Sequence, residues 1–267
     1  MHKDLLIHSR PREGYTAIIE PGQYNMQLTG FGLLQLSAGQ SWSASSAESE
    51  LALIILGGKC AVKGEGFHFK EVGRRATVFD GKPYAVYLPR HQNYEILASS
   101  QLDLALCRAP ATKESAPPSL ITPEMTRSLS IGRDNFKREA CIIIDEKFDS
   151  RHFYIGEGMV PSGNWSGYPP HRHDVDNPPL ELDMEECYFY RFDPPQGFGI
   201  QKVYTRDGRI DETYTVKNND TVAIAEGYHP LCAAPGYNMY YLWVMCGKNQ
   251  RGLVSSMDPN HEWVVKT

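Results

Sequence analysis

Short apolar runs rich in β-branched and aromatic residues recur along the chain: LALIIL, CAVKG, ATVFD, YAVYLP, YEILA and LDLALC in the first half, then ACIII, CYFYRF, GIQKVYT, ETYTVK, TVAIA and YYLWVM in the second. Gly, Pro, Asn or Asp interrupts nearly every one, as turns interrupt strands. Several runs alternate, as in Thr213, Tyr214, Thr215 and Val216, which gives one face to a core and the other to water or a cavity. No window longer than about ten residues keeps a 3.6-residue period, and the best helical candidate is a short turn around Pro123 to Ser128. The pattern predicts an all-β chain.

The segment APATKESAPPSLITPEM, Ala109 to Met125, is dense in Pro, Ser and Thr and has little to bury, so it reads as a connector. Each side shows a similar order of strands, a glycine turn and a strand ending in a Pro or Gly bend: YAVYLPRHQNYEIL before the connector, TVAIAEGYHPLCAAPGYNMYYLWV after it. An imperfect duplication of one β-barrel, divided into residues 1–125 and 126–267, is the economical explanation, with one long β-sandwich as the alternative.

Composition narrows the partners. The 267 residues are 41% hydrophobic, enough for one large domain or two of ordinary size. The net charge of −5 is scattered along the chain, so no footprint for nucleic acid or anionic lipid appears, and a small-molecule partner is expected. The first four residues already carry charges, no apolar run of signal length follows, and no run approaches the roughly 18 apolar residues of a membrane span, so a cytoplasmic location is expected. Cys60, Cys107, Cys141, Cys187, Cys232 and Cys246 are far apart and mostly within apolar runs. They read as reduced, buried thiols rather than a zinc knuckle or redox pair.

Among nine histidines, His171 and His173 form the close pair, in YPPHRHDVDNPPLELDMEECYFY. On an extended backbone, residues two apart share a face with side chains about 7 Å apart, and a modest bend brings both imidazoles onto one ion. Alone, the pair also suits a polar loop. Glu185 and Glu186 open the strand pattern CYFYRF, and His229 in EGYHP follows TVAIA. Together they make a three-histidine, one-carboxylate site with open positions, suited to zinc, manganese, iron or nickel. Adjacent strand residues point to opposite sides, so one glutamate faces the ion, and Glu186 is favoured.

HxH, a glutamate and a later glycine-containing bend ending in His is also the pattern of the cupin superfamily. The longer strings GNWSGYPPHRHD, DPPQGFGIQKVYTRDGRIDETYTV, EGYHP and GYNMYYLWVMCG closely resemble the 5-deoxyglucuronate isomerase family, bicupins related to 5-keto-4-deoxyuronate isomerase. The resemblance is dense in the second half and looser through ELALIILGGKCAVKGEG, Gly73 to Arg75 and YAVYLPRH. It implies two tandem jelly-roll cupin barrels, and a divalent metal, zinc first, on His171, His173, Glu186 and His229. The first barrel offers SASSAESE and Pro89, Arg90 and His91 where ligands would stand, so it reads as metal-free, structural or dimer-forming. Asp174 to Glu185 form an insertion that fits the isomerase family and not a generic cupin. Ala225 and Glu226 depart from the family, whose relatives usually have a proline followed by a base.

The implied reaction is an aldose–ketose isomerisation that moves the carbonyl of open-chain 5-deoxy-glucuronate from C1 to C2, in inositol catabolism. It needs a base at C2, stabilisation of an enediolate oxygen and a proton returned to C1. Glu185, Glu186, Asp174 or a metal-bound hydroxide could be the base. Candidate substrate contacts are Tyr168, Tyr188, Tyr190, Gln201, Tyr204 and Tyr240 or Tyr241, with Arg172, Arg191 and Lys202 for the carboxylate. Arg74 and Arg75 read as a solvated turn or an interface pair. Two rival functions are a non-catalytic sugar-acid-binding cupin, which the departures allow, and a cupin dioxygenase. A homo-oligomer is compatible with either.

Overall fold

Alternation decides how the strands stack. In the strand Asn238–Gly247, Tyr240, Leu242, Val244 and Cys246 face one way and Met239, Tyr241, Trp243 and Met245 the other, and all are buried. A strand apolar on both faces needs a layer on each side. A computed structural model describing residues 4–266 shows those layers.

A seven-stranded antiparallel sheet runs in the order Leu6–His8, Asp220–Ile224, Met184–Asp193, Asn238–Gly247, Phe153–Val160, Arg138–Ile144, Arg127–Ile131. A six-stranded antiparallel sheet runs Ser119–Ile121, Ala85–Leu88, Ser49–Gly57, Leu102–Pro110, Gly30–Leu36, Gly14–Ile19. A four-stranded sheet joins each of them to enclose a barrel: Leu231–Ala233, Phe198–Tyr204 and Asp211–Lys217 contribute to the carboxy-terminal one, and Cys60–Gly64 and Asn93–Ala98 to the amino-terminal one. The two large sheets pack back to back through Phe31, Leu33, Ile54 and Cys107 on one side and Phe153, Phe189, Leu242 and Val244 on the other. Burial of each such large side chain contributes roughly 1.5–3 kcal/mol. The amino-terminal barrel is filled by Leu34, Leu53, Val86, Ile96 and Leu104, and His91 lies outside it, 3.5 Å from Glu48.

Three differences from the sequence reading have simple causes. Leu6–His8, assigned to the amino-terminal barrel, pairs instead with Asp220–Ile224, because Leu6 and Ile7 find apolar cover on the two faces of that sheet edge. ATVFD forms a turn, where Asp80 accepts hydrogen bonds from the Thr77 N–H and hydroxyl, and Val78 enters the layer between the barrels. The helical candidate shrinks to a 3-10 turn at Pro123–Met125, and Arg127–Ile131 is a strand. All six cysteines are free thiols. No helix among the described residues is long and apolar enough to cross a membrane.

Buried carboxylates stitch the barrels together. Glu157 holds Arg75 through contacts of 2.5 and 2.9 Å and accepts the Tyr240 hydroxyl at 2.7 Å. Arg75 is thus an interface residue, while Arg74 is exposed beside the Tyr84 ring. Glu185 accepts the backbone N–H groups of Gln27, Leu28 and Thr29. Glu50 accepts those of Arg151 and His152 and the Tyr87 hydroxyl.

Candidate metal centre

The chain brings His171 and His173 to the barrel on a short extended stretch, His171–Arg172, which pairs with Ser256–Met257. The intervening Arg172 points away, its guanidinium 3.4 Å from Asp174 and 3.5 Å from Glu181. In Met184–Asp193, Glu186 and Tyr188 face the barrel interior, and Glu185 and Cys187 the layer between barrels. His229 follows Asp220–Ile224 in a bend held by Asp174, which accepts the Gly227 N–H at 2.6 Å.

His173, Glu186 and His229 place candidate ligand atoms within 4.8 Å of one another, all buried. His171 stands beside them, its ring centre 5.0 Å from that of His229 and 6.4 Å from that of His173. Backbone carbonyls govern the histidine tautomers. His173 Nδ1 lies 2.9 Å from the Met184 oxygen, and His229 Nδ1 lies 2.8 Å from the Gly227 oxygen. A neutral ring donating from Nδ1 carries its lone pair on Nε2. Both Nε2 atoms then face the same Glu186 oxygen, at 3.0 and 3.2 Å, and His229 Nε2 has no hydrogen-bond partner among the described residues. Acceptors crowded on a buried carboxylate call for a positive charge between them, and a divalent cation fits this donor set.

The ionisation of the cluster follows from its burial. Burial, with the His229 and His173 rings packed beside it, pushes His171 down to about 3, so that ring stays neutral. For Glu186, burial opposes ionisation, but the His173 and His229 rings beside its oxygen more than offset it and hold the carboxyl at about 2. Burial likewise opposes charging His173, and the Glu186 bond outweighs it, so its value is raised above the ordinary 6.5. A proton on His173 therefore competes with a metal up to and beyond that value. Apparent metal affinity is expected to rise with pH through neutrality, with proton release on loading. Zinc titration calorimetry in buffers of different ionisation enthalpy checks both, and pH-independent affinity between pH 6 and 8 would contradict this tautomer scheme.

A cavity of about 100 Å³ opens beside the cluster, lined by His171, His173, Glu186, Tyr188, Tyr241, Trp243, Arg138 and the aliphatic side chains of Leu129, Ile131 and Ile142. Gly156 and Gly158 face Trp243 and Tyr241 across the neighbouring strand. A Cβ at Gly158 would lie 2.2 Å from the Tyr241 ring, so only glycine lets that ring lie flat with its hydroxyl 2.7 Å from Ser166. Gly158→Ala is expected to displace Tyr241 and cost roughly 1–3 kcal/mol through overpacking, read by urea denaturation.

Several residues proposed from sequence lie elsewhere. Glu185 serves the interface, because its strand parity is opposite to that of Glu186. Asp174 is occupied by Gly227 and Arg172, so it anchors the His229 bend. Gln201 is buried behind His229, donating to the His229 and Pro230 carbonyls and accepting the Tyr190 hydroxyl. Lys202 pairs with Asp211 at the surface, and Tyr204 donates to Asp258. Arg191 pairs with Asp103 of the other barrel, and Arg172 turns its charge toward Asp174 and Glu181. Tyr168 packs against Trp165 and Phe136 and offers its carbonyl to Arg138. Tyr240 belongs to the interface, and Tyr188 and Tyr241 are the tyrosines of the cavity wall. Glu226 pairs with Arg209 on the surface. Sequence reading missed Arg138, although alternation in REACIII puts Arg138, Ala140 and Ile142 on one face.

Comparison with known proteins agrees with this frame. A curated 5-deoxy-glucuronate isomerase from Geobacillus thermodenitrificans is 38% identical over 97% of this chain and 94% of its own length. One from Bacillus subtilis strain 168 is 38% identical over 88% of this chain and 87% of its own. The crystal structure of an IolB-like protein from Salmonella typhimurium superposes with a TM-score of 0.94 at 33% identity, covering 98% of this chain and all of that one. An oxalate decarboxylase from Lactobacillus farciminis shares only 12% identity but superposes with a TM-score of 0.67 over 99% of this chain and 91% of its own, which identifies the fold as a tandem pair of cupin barrels. The family model of KduI and IolB proteins matches residues 5–264, and the chain belongs to the KduI/IolB family.

Proposed function

We propose that this protein is a cytoplasmic aldose–ketose isomerase that converts open-chain 5-deoxy-glucuronate to its 2-keto isomer during inositol breakdown. The relatives at 38% identity carry that name over nearly the whole chain. The observation that carries the chemistry is the meeting of two imidazole Nε2 atoms on one buried carboxylate oxygen at the wall of a cavity.

In this reading His173, His229, Glu186 and His171 hold a divalent ion, zinc first, with manganese, iron or nickel as alternatives. Such an ion supplies Lewis-acid stabilisation to the developing enediolate oxygens. The chain does the rest. The carbonyls of Met184 and Gly227 fix the imidazole tautomers. Tyr188 and Tyr241, whose burial keeps both phenols protonated, offer hydroxyls to the sugar. Leu129, Ile131 and Ile142 exclude water, which lowers the local dielectric and strengthens every polar contact inside. Of the three carboxylates considered for proton transfer, Glu186 alone lines the cavity. The departures Ala225 and Glu226, which motivated a non-catalytic reading, lie outside the cavity lining.

The test is NMR of 5-deoxy-glucuronate with metal-loaded protein in D₂O. The aldehyde signal is expected to be lost as a ketose forms, with deuterium entering at C1 through solvent exchange of the abstracted proton. Absence of conversion by protein carrying stoichiometric metal would overturn the reading.

A further inference from the structure

We infer that Arg138 is the anion-recognition residue of the cavity, pairing with the carboxylate of the sugar acid and so selecting acids over neutral sugars. The inference rests on the isomerase reading for the identity of the ligand, but the site stands on its own geometry. The strand Arg138–Ile144 sends Arg138, Ala140 and Ile142 to the cavity, so a guanidinium ends an otherwise apolar row. Arg138 is only 9% exposed. Its recorded partners are two backbone carbonyls, those of Phe136 and Tyr168, at 3.2 and 3.3 Å, and no carboxylate among the described residues lies within 4.0 Å of it.

A buried cation without a counter-charge is costly. Arg75 is neutralised by Glu157 and Arg191 by Asp103, whereas Arg251 is held, like Arg138, by backbone carbonyls, those of Asp145, Phe148 and Phe153. Arg138 differs in facing a cavity, where a ligand can supply the missing charge. Desolvation lowers its basicity, as expected for a guanidinium held away from water without an anion. The two carbonyls engage one terminal nitrogen, which aims the fork and leaves further N–H groups for a carboxylate. The Trp243 indole N–H, which has no hydrogen-bond partner among the described residues, lies in the same lining and suits a sugar hydroxyl. Carboxylate at Arg138 and carbonyl end at the histidine cluster would orient a six-carbon chain across the cavity. This role also explains why Arg172, Arg191 and Lys202 need not reach the substrate.

The experiment compares Arg138→Met, Arg138→Lys and the native protein, each with its metal content and unfolding midpoint measured. Ligands are 5-deoxy-glucuronate, its C6 amide, and glucuronate as a binding probe followed by calorimetry. For Arg138→Met the acid is expected to lose at least about 30-fold in kcat/KM, mostly through KM, while metal stays bound. Arg138→Lys should recover part of this, and added guanidinium should rescue Arg138→Met. Native protein should prefer the acid to the amide by a similar factor. Equal kcat/KM of acid and amide with native protein would overturn the inference without touching the isomerase reading, and needs no variant that folds. If no isomerisation occurs at all, glucuronate binding decides: loss in Arg138→Met at unchanged metal content supports the anion site, and unchanged binding, or no binding to the native protein, removes it.

Discussion

Glu186→Gln is expected to release the metal and abolish isomerisation, while Glu185→Gln at the next position keeps both. Metal affinity for Glu186→Gln should fall by more than about 100-fold, since even partners one shell further out are worth 10–100-fold. The amide keeps the size of the side chain but removes the charge that both His173 and His229 face. Glu185 differs only in parity. Its oxygens take the N–H groups of Gln27, Leu28 and Thr29, so its loss weakens the grip between barrels and lowers the unfolding midpoint. Elemental analysis after dialysis, paired with thermal unfolding of both variants, reads the contrast directly. Equal metal loss in the two variants would contradict the assignment of faces.

Arg75→Met is expected to cost roughly 3–5 kcal/mol of stability, because it leaves Glu157 charged and buried in the layer between the barrels. The double variant Arg75→Met, Glu157→Gln should recover a large part of this, since an apolar and neutral pair carries no stranded charge. Urea unfolding of the two single variants and the double variant measures the coupling. Strictly additive losses would show that the pair does not act as a unit. Activity per folded molecule should change little, since Arg75 and Glu157 face away from the cavity and neither lines it.

The fold class was legible because period-2 alternation and turn residues are local signals, and Asn238–Gly247 shows the alternation on both of its buried faces. Phe153–Val160 escaped notice, although it lies near the centre of its sheet, because Gly156 and Gly158 look like turn punctuation. Their purpose appears only when the Tyr241 and Trp243 rings are seen lying over them. Leu6–His8 was misplaced because three residues carry no record of a partner more than two hundred positions away.

Within the site, the proximity of His171, His173, Glu186 and His229 could be read from motif spacing and strand parity. The candidate anion partners could not. Arg172, Arg191 and Lys202 each found a carboxylate of the protein, and sequence does not show which cations are already neutralised. Arg138 carried a usable signal, a charge on the apolar face of REACIII, and a charge on a core face is worth asking about wherever alternation is strong. Asp174, Gln201 and Tyr204 lie close to the cluster in sequence or in space yet turn their polar atoms to the scaffold.

The central claim is that one divalent ion sits among His173, Glu186, His229 and His171. Anomalous diffraction at the zinc edge from crystals of the zinc-loaded protein tests it most directly. A single strong peak within bonding distance of His173 Nε2, His229 Nε2 and a Glu186 oxygen is the expected result, and fully active crystals with no peak there would contradict it.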